Sequence, residues 1–154
     1  ACRADPLGYV GVGGFVDLTC AAKICVFAVA FATGSKIEVD EAGKIRINHP
    51  GKCKFLRQVR EVHFSGPAAL KAGKQVFYVT HLGAFELTKD GLVLVSVFPG
   101  VDPVIDIVEP AEAKILLPKG GAAAVKVASG GVLSGGAALD AELSAALHAG
   151  EARL

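Results

Sequence analysis

The stretch Ile24–Ala32, ICVFAVAFA, holds nine consecutive apolar residues without a single charge. A membrane-spanning helix needs about 20 such residues, so this run is too short to be one. Its β-branched and aromatic content, bounded by Lys23 and Thr33, reads as a strand buried on both faces. Pattern alone leaves a buried piece of helix open. In either case the run needs a body around it. The chain has 154 residues, the size of one domain with a real core. With 52% hydrophobic and 20% charged residues, it is not disordered by composition. The apolar excess points to covered sheet faces or to a surface that docks on a partner. Sixteen basic against fifteen acidic residues leave a formal charge of +1, which makes no electrostatic case for nucleic acid.

Around that run the pattern is strand-rich. KIEVDEAGKIRIN alternates on both sides of a Glu-Ala-Gly turn, with Ile37 and Val39 before it and Ile45 and Ile47 after it. This predicts a β-hairpin with one apolar face. KFLRQVREVHFS reads as a short helical or irregular lead into a strand. SGPAALKAGK predicts a helical turn or two, capped by Ser65 and stopped by Gly73. QVFYVTH is a strand, and AFELTKDGLVLVSVF is a second hairpin turning at Lys89-Asp90-Gly91. In GVDPVIDIVEPAE, Asp102 is a candidate cap and Pro103 stands in the first turn, where proline is tolerated. After Pro118 glycine and alanine dominate around a lone Val125-Lys126-Val127. Leu139, Leu143 and Leu147 then mark an amphipathic helix near 137–149. The expected organisation is a body over 1–118 and a flexible linker with a docking helix over 119–154. Too few strand–helix alternations occur for a doubly wound domain by itself.

Four cysteines, at 2, 20, 25 and 53, include no CxxC pair, so no zinc framework and no metal site are expected. Buried free thiols in a reducing compartment are the better reading. Lys52 and Lys54 flank Cys53 and would lower its thiol pKa, though nothing else marks it as a nucleophile. Lys52, Lys54, Arg57 and Arg60 read as a solvated face. Glu38, Asp40 and Glu41 read as a solvated hairpin tip. Among the histidines at 49, 63, 81 and 148, His63 is expected to face solvent or a partner from a strand, and His81 to end a strand at a loop. None is assigned a catalytic role. The opening residues, with Arg3, Asp5 and Pro6, do not read as a signal peptide, and the expected compartment is the cytoplasm. The chain contains no methionine, which suggests a fragment or processed subunit.

The stretch GVGGFVDLTCAAK, residues 11–23, is the richest in possible chemistry. A dinucleotide fingerprint would require glycine where Val16 stands, and a P-loop would require Gly-Lys-Ser/Thr; neither is present. One reading is a glycine turn that lets the backbone approach another segment closely. The other is a bare Gly-Gly amide aimed at an anionic or developing-oxyanion group, with Asp17 capping the turn behind it.

The order GVGGFVDL–TCAAK–apolar strand, then GKIRINHPGKCKFLRQVREVHFSG, then QVFYVTHLGAFELTKDGLVLVSVFPGVD, resembles the C-terminal, β-subunit-like region of class I CoA-transferases. It is most similar to the fused acetate/propionate (short-chain acyl) type. The resemblance runs from about Gly8 to Pro118. It implies an α/β fold, the C-terminal part of a CoA-transferase-like (NagB/RpiA-like) open sheet with two hairpins. It also implies a ping-pong transfer of coenzyme A between carboxylic acids through a glutamyl-CoA thioester. In that scheme Gly14 donates its backbone N–H to the oxyanion and Gly13 permits the turn, while Gly11, Phe15 and Asp17 support the loop near substrate. Coenzyme A enters as substrate, and no permanent cofactor is expected. The partners implied are acyl-CoA, carboxylates, and the N-terminal, nucleophile-bearing part of the enzyme in a homo- or hetero-oligomer. Two departures stand out. The Ser-Glu-Asn-Gly-like nucleophile motif is absent, and Thr80-His81-Leu82-Gly83 stands where relatives carry Thr-Glu-Arg or Thr-Glu-Lys. The isolated chain is therefore expected to be inactive; the alternative is a non-catalytic remnant or acyl-CoA-binding module of the same fold.

Overall fold

The computed structural model of the chain describes residues 13–59 and 62–128. Its centre, among the described residues, is a mixed, open sheet of six strands. Strand β1 (Ile24–Ala28) lies parallel to β6 (Gln75–Val79). Strands β6, β7 (Gly83–Thr88) and β8 (Gly91–Val97) form an antiparallel meander. Short β9 (Ile115–Leu116) and β10 (Lys126–Val127) each run parallel to β8. A parallel pair cannot be closed by a tight turn. The chain between β1 and β6 therefore carries further structure: β2 (Ala32–Thr33) paired with β5 (Lys52–Cys53), the β3–β4 hairpin (Lys36–Val39 and Ile45–His49), and helix α2 (Gly66–Lys71).

Both hairpins form at the expected positions. In the first, Ile37 pairs with Ile47 and Val39 with Ile45, and this apolar face packs onto the main core. Asp40 organises the tip, its Oδ1 accepting from the Ala42 and Lys44 N–H groups at 2.9 and 2.8 Å. That is local turn chemistry for a short polar side chain. In the second hairpin Thr88 faces Gly91, and the Thr88 hydroxyl donates to the Gly91 carbonyl at 2.9 Å. Ser65 caps α2 by accepting from the Ala68 N–H, and Gly73, at φ +75°, ends it. Asp102 likewise caps a helical turn over Pro103–Val108, accepting from the Val104 and Ile105 N–H groups. That turn is wound as a π-helix, with the Glu109 N–H reaching back to the Val104 carbonyl.

The main core lies where the β3–β4 hairpin meets the meander. Phe85, Leu94 and Ile107 are wholly buried there, with Phe31 almost so. Phe31, Phe55 and Phe85 form an aromatic triad with centroids 5.0–6.4 Å apart. A smaller cluster gathers Cys25, Ala69 and Val76 under α2, with Phe27, Phe64 and Tyr78 at its margin. Close backbone approach explains one glycine directly: a Cβ on Gly83 would lie 2.4 Å from the Ser96 carbonyl oxygen of the neighbouring strand.

Four expectations need correction. β1 is not covered on both faces: it is an edge strand among the described residues, with Val26 39% and Val29 42% exposed. Residues 62–64 form no strand; Phe64 instead sets its ring edge-on to Phe27. The stretch after Pro118 does not start as flexible linker, because Gly121–Ala124 forms a 3₁₀ turn, Val125 enters the core and β10 joins β8. Of the three described cysteines, all free thiols, Cys25 is buried but Cys20 is exposed. The helix expected near 137–149 lies outside the described residues. No helix among the described residues is long and apolar enough to cross a membrane. Phe85→Ala removes the centre of the aromatic triad; we expect a loss of about 3–5 kcal/mol in urea unfolding, seen as a lower midpoint at unchanged slope.

Candidate active site

Gly13 and Gly14 form the turn that opens helix α1 (Phe15–Ala21). Gly13 has φ +53°, a conformation that favours glycine. Gly14 is the N-cap at φ −76°, ψ 5°, which any residue can adopt, and its carbonyl accepts from the Leu18 N–H at 2.9 Å. A Cβ at either position would meet no atom within 4 Å. Neither glycine is therefore held by close packing against the described residues. Both are exposed, and the Gly14 N–H has no hydrogen-bond partner among the described residues.

Two contacts fix where this turn lies. Phe15, at the start of α1, sets its ring 5.9 Å from that of Phe27, near the end of β1. At the other end, the Lys74 ammonium donates to the carbonyls of Cys20, at 2.7 Å, and of Ala22. Lys74 precedes the first residue of β6, and that residue pairs with the first residue of β1. Helix α1 thus runs back along the parallel pair, and its glycine turn comes to the carboxyl ends of β1 and β6. In open α/β sheets that is the end where ligands bind. The contribution of Lys74 was not legible in sequence, since it spans fifty-four residues to Cys20.

The other singled-out residues fall as follows. Phe15 is half-exposed and anchors the helix. Asp17 does not cap the turn: it sits inside the first turn of α1, and the Gly14 N-cap receives no side-chain hydrogen bond. Gly11 lies outside the described residues. Cys53 reverses its expectation, because burial pushes its thiol pKa up, and Glu112 adds to the rise despite the flanking lysines. His63 is exposed on the irregular segment before α2.

His81 occupies the turn between β6 and β7. Thr80, itself buried, builds that turn: its hydroxyl donates to the Gly83 carbonyl at 2.9 Å and accepts from the Leu82 and Gly83 N–H groups. The His81 ring then reaches the loop after β1, with Nδ1 accepting from the Phe31 N–H and Nε2 facing the Ser35 hydroxyl, both at 3.4 Å. Acceptance at Nδ1 requires the neutral ring, and burial lowers the His81 pKa. A half-open cleft of about 320 Å³ adjoins this turn, lined by Phe31, Leu82, Cys53 and Ile105 and by the carboxylates Asp106 and Glu109. The cleft carries acid and no base, so it does not suit an anion.

A histidine pKa lowered on folding means that the unfolded chain binds the proton more tightly. The His81 contribution is complete above the ordinary histidine value of about 6.5 and is lost as pH falls through the folded pKa. Urea midpoints from pH 8 down to pH 5 are expected to fall for the wild type, and more shallowly for His81→Gln.

Known proteins resemble the chain in sequence and in fold. No protein-family model matches it. The acetate CoA-transferase YdiF of Escherichia coli K12 is 39% identical over 102 residues, covering 65% of this chain and 19% of that protein. The caffeate CoA-transferase of Acetobacterium woodii is 33% identical over 100 residues, covering 64% and 19%. Among solved structures, the acyl-CoA transferase YdiF of E. coli O157:H7 as a thioester complex with CoA matches at a TM-score of 0.68 and 34% identity, over 76% of this chain and 22% of that one. Its apoenzyme matches at 0.71 and 31%, over 82% and 24%. The chain spans about a fifth of the length of the curated relatives it matches. It is thus homologous, in sequence and in its open α/β fold, to one segment of the CoA-transferases of the YdiF type.

Proposed function

We propose that the chain is part of a cytoplasmic CoA-transferase that moves coenzyme A between short-chain carboxylic acids, and that it supplies the oxyanion donor but not the nucleophile. In the reaction a glutamate carboxylate, from a part of the enzyme outside this chain, attacks the thioester carbonyl of acyl-CoA. The C–S bond breaks, CoA thiolate leaves, and an acyl-glutamyl anhydride remains. The thiolate then attacks the glutamyl carbonyl, the carboxylic acid departs as its anion, and a glutamyl-CoA thioester is formed. The second acid reverses both steps. Each tetrahedral intermediate carries an oxyanion, and the Gly14 N–H is the donor offered to it.

The observation that carries this reading is the state of Gly14: exposed, crowded by no described atom, and with its N–H unused among the described residues, at the carboxyl end of a parallel pair. Gly13 supplies the left-handed bend that presents it. The segment's homology to CoA-transferases supplies the reaction class. The sequence holds no Ser-Glu-Asn-Gly motif, which supports a nucleophile supplied from outside this chain. One observation favours a non-catalytic acyl-CoA-binding remnant instead: where the resemblance implies Thr-Glu-Arg or Thr-Glu-Lys, the turn holds His81, whose Nδ1 accepts from the Phe31 N–H.

Gly14→Pro is the direct test, because the φ of −76° is one that proline accepts. The substitution removes the N–H without straining the φ of residue 14 itself. In the enzyme completed with its nucleophile-bearing part, acetyl-CoA/carboxylate exchange is expected to fall about 10²–10³-fold, equivalent to about 2.7–4 kcal/mol. Gly14→Ala keeps the N–H and should leave stability nearly unchanged. Exchange undiminished in Gly14→Pro would remove the oxyanion role.

A further inference from the structure

We infer that the outer edge of β1 is a docking site for a β-strand from the part of a CoA-transferase that this chain does not cover; the inference rests on the functional reading above. The two edges of the sheet differ in kind. On the β8 side the edge consists of two-residue strands, β9 and β10, separated by Pro118 and carrying Lys126. Very short strands, lysine and proline are the means by which natural sheets close off an edge to further pairing. β1 has none of these. From Ile24 to Ala28 it offers no charge and no proline. Its composition is that of a central strand of a parallel sheet, yet it stands at the margin.

The backbone shows which groups are left over. The Val29 N–H donates to the Val79 carbonyl, and the Gln75 N–H to the Lys23 carbonyl. The odd-numbered residues of this strand therefore face β6. Within a strand a residue's N–H and C=O point the same way, so those of Ile24, Val26 and Ala28 point outward, with no ladder partner among the described residues. Among them Val26 also exposes its apolar side chain, as does Val29 just past the strand's end.

The occupant follows from length and fold. The solved relatives share this sheet, and the chain covers only 22–24% of them, so most of the body that could flank β1 lies outside these residues. A strand from that body would pair with the three outward residues and flank the exposed Val26 side chain. It would also bring the rest of the enzyme to the strand whose carboxyl end lies beside the glycine turn.

The test is residue-resolved amide exchange by NMR. The free chain is compared with the chain bound to the E. coli acetate CoA-transferase polypeptide from which the matching segment has been deleted, the two being co-expressed. In the free chain the Cys25, Phe27 and Val29 amides should be protected and those of Ile24, Val26 and Ala28 should exchange freely. In the complex the latter three should slow by about 100-fold or more. Val26→Pro removes an outward N–H that β6 does not use, so the free chain should keep its fold while the complex weakens about tenfold or more. Val26→Thr keeps the N–H and should bind normally. Protection of the three amides in the free chain would assign the edge to another segment of this chain. Protection that rises with chain concentration would assign it to a second copy. Either outcome overturns the inference. CoA transfer by a complex whose β1 amides remain free would refute the docking site alone; protected amides without transfer would support it and count against the functional reading.

Discussion

The parallel pairing of β1 with β6 is the constraint on which the rest of the molecule depends. Two parallel neighbours require a long crossover, and here the crossover holds the β3–β4 hairpin, the β2–β5 pair and α2. The same pairing gives the sheet a carboxyl end at β1 and β6, where helix α1 can deliver a glycine turn. Lys74 and Phe15 hold α1 in that direction, one at each end. The β3–β4 hairpin and the meander then bury the Phe31–Phe55–Phe85 triad, and this core also fixes the loop that follows β1.

His81 sits where these parts join. Its turn is built by Thr80, and its ring reaches across to Phe31 and Ser35, tying the β6–β7 turn to the loop after β1. That tie works with a neutral ring. A carboxylate-bearing side chain in the same place would have to be desolvated or would have to find a cation, and the described surroundings include no base in the adjoining cleft. A neutral histidine therefore suits a turn that closes on its own loop.

Much of the fold was legible because its signals are local. Alternation at Ile37, Val39, Ile45 and Ile47 defines the first hairpin with its register, and Ser65, Gly73 and Asp102 act where a cap or stop residue should. The less legible parts depend on partners distant in sequence. β1 reads as a buried strand because its residues suit a larger sheet than the described one. Val125 and β10 were hidden in glycine- and alanine-rich sequence, yet they lie along β8. Cys53 appeared activated by its lysine neighbours, but burial, which sequence does not show, governs its thiol. At the glycine turn the motif located Gly13 and Gly14 correctly as a turn, whereas Asp17 proved to be inside the helix rather than its cap.

The central claim is that this chain carries one half of an active site and another polypeptide segment carries the other. Locating the covalent intermediate by mass spectrometry tests it most directly. The chain, completed by the nucleophile-bearing part of a YdiF-type enzyme, is incubated with acetyl-CoA, trapped with borohydride and digested. The account predicts a modified glutamate on the completing polypeptide and none on any glutamate of this chain. A trapped glutamate within the 154 residues, or transfer by the pure chain, would contradict it.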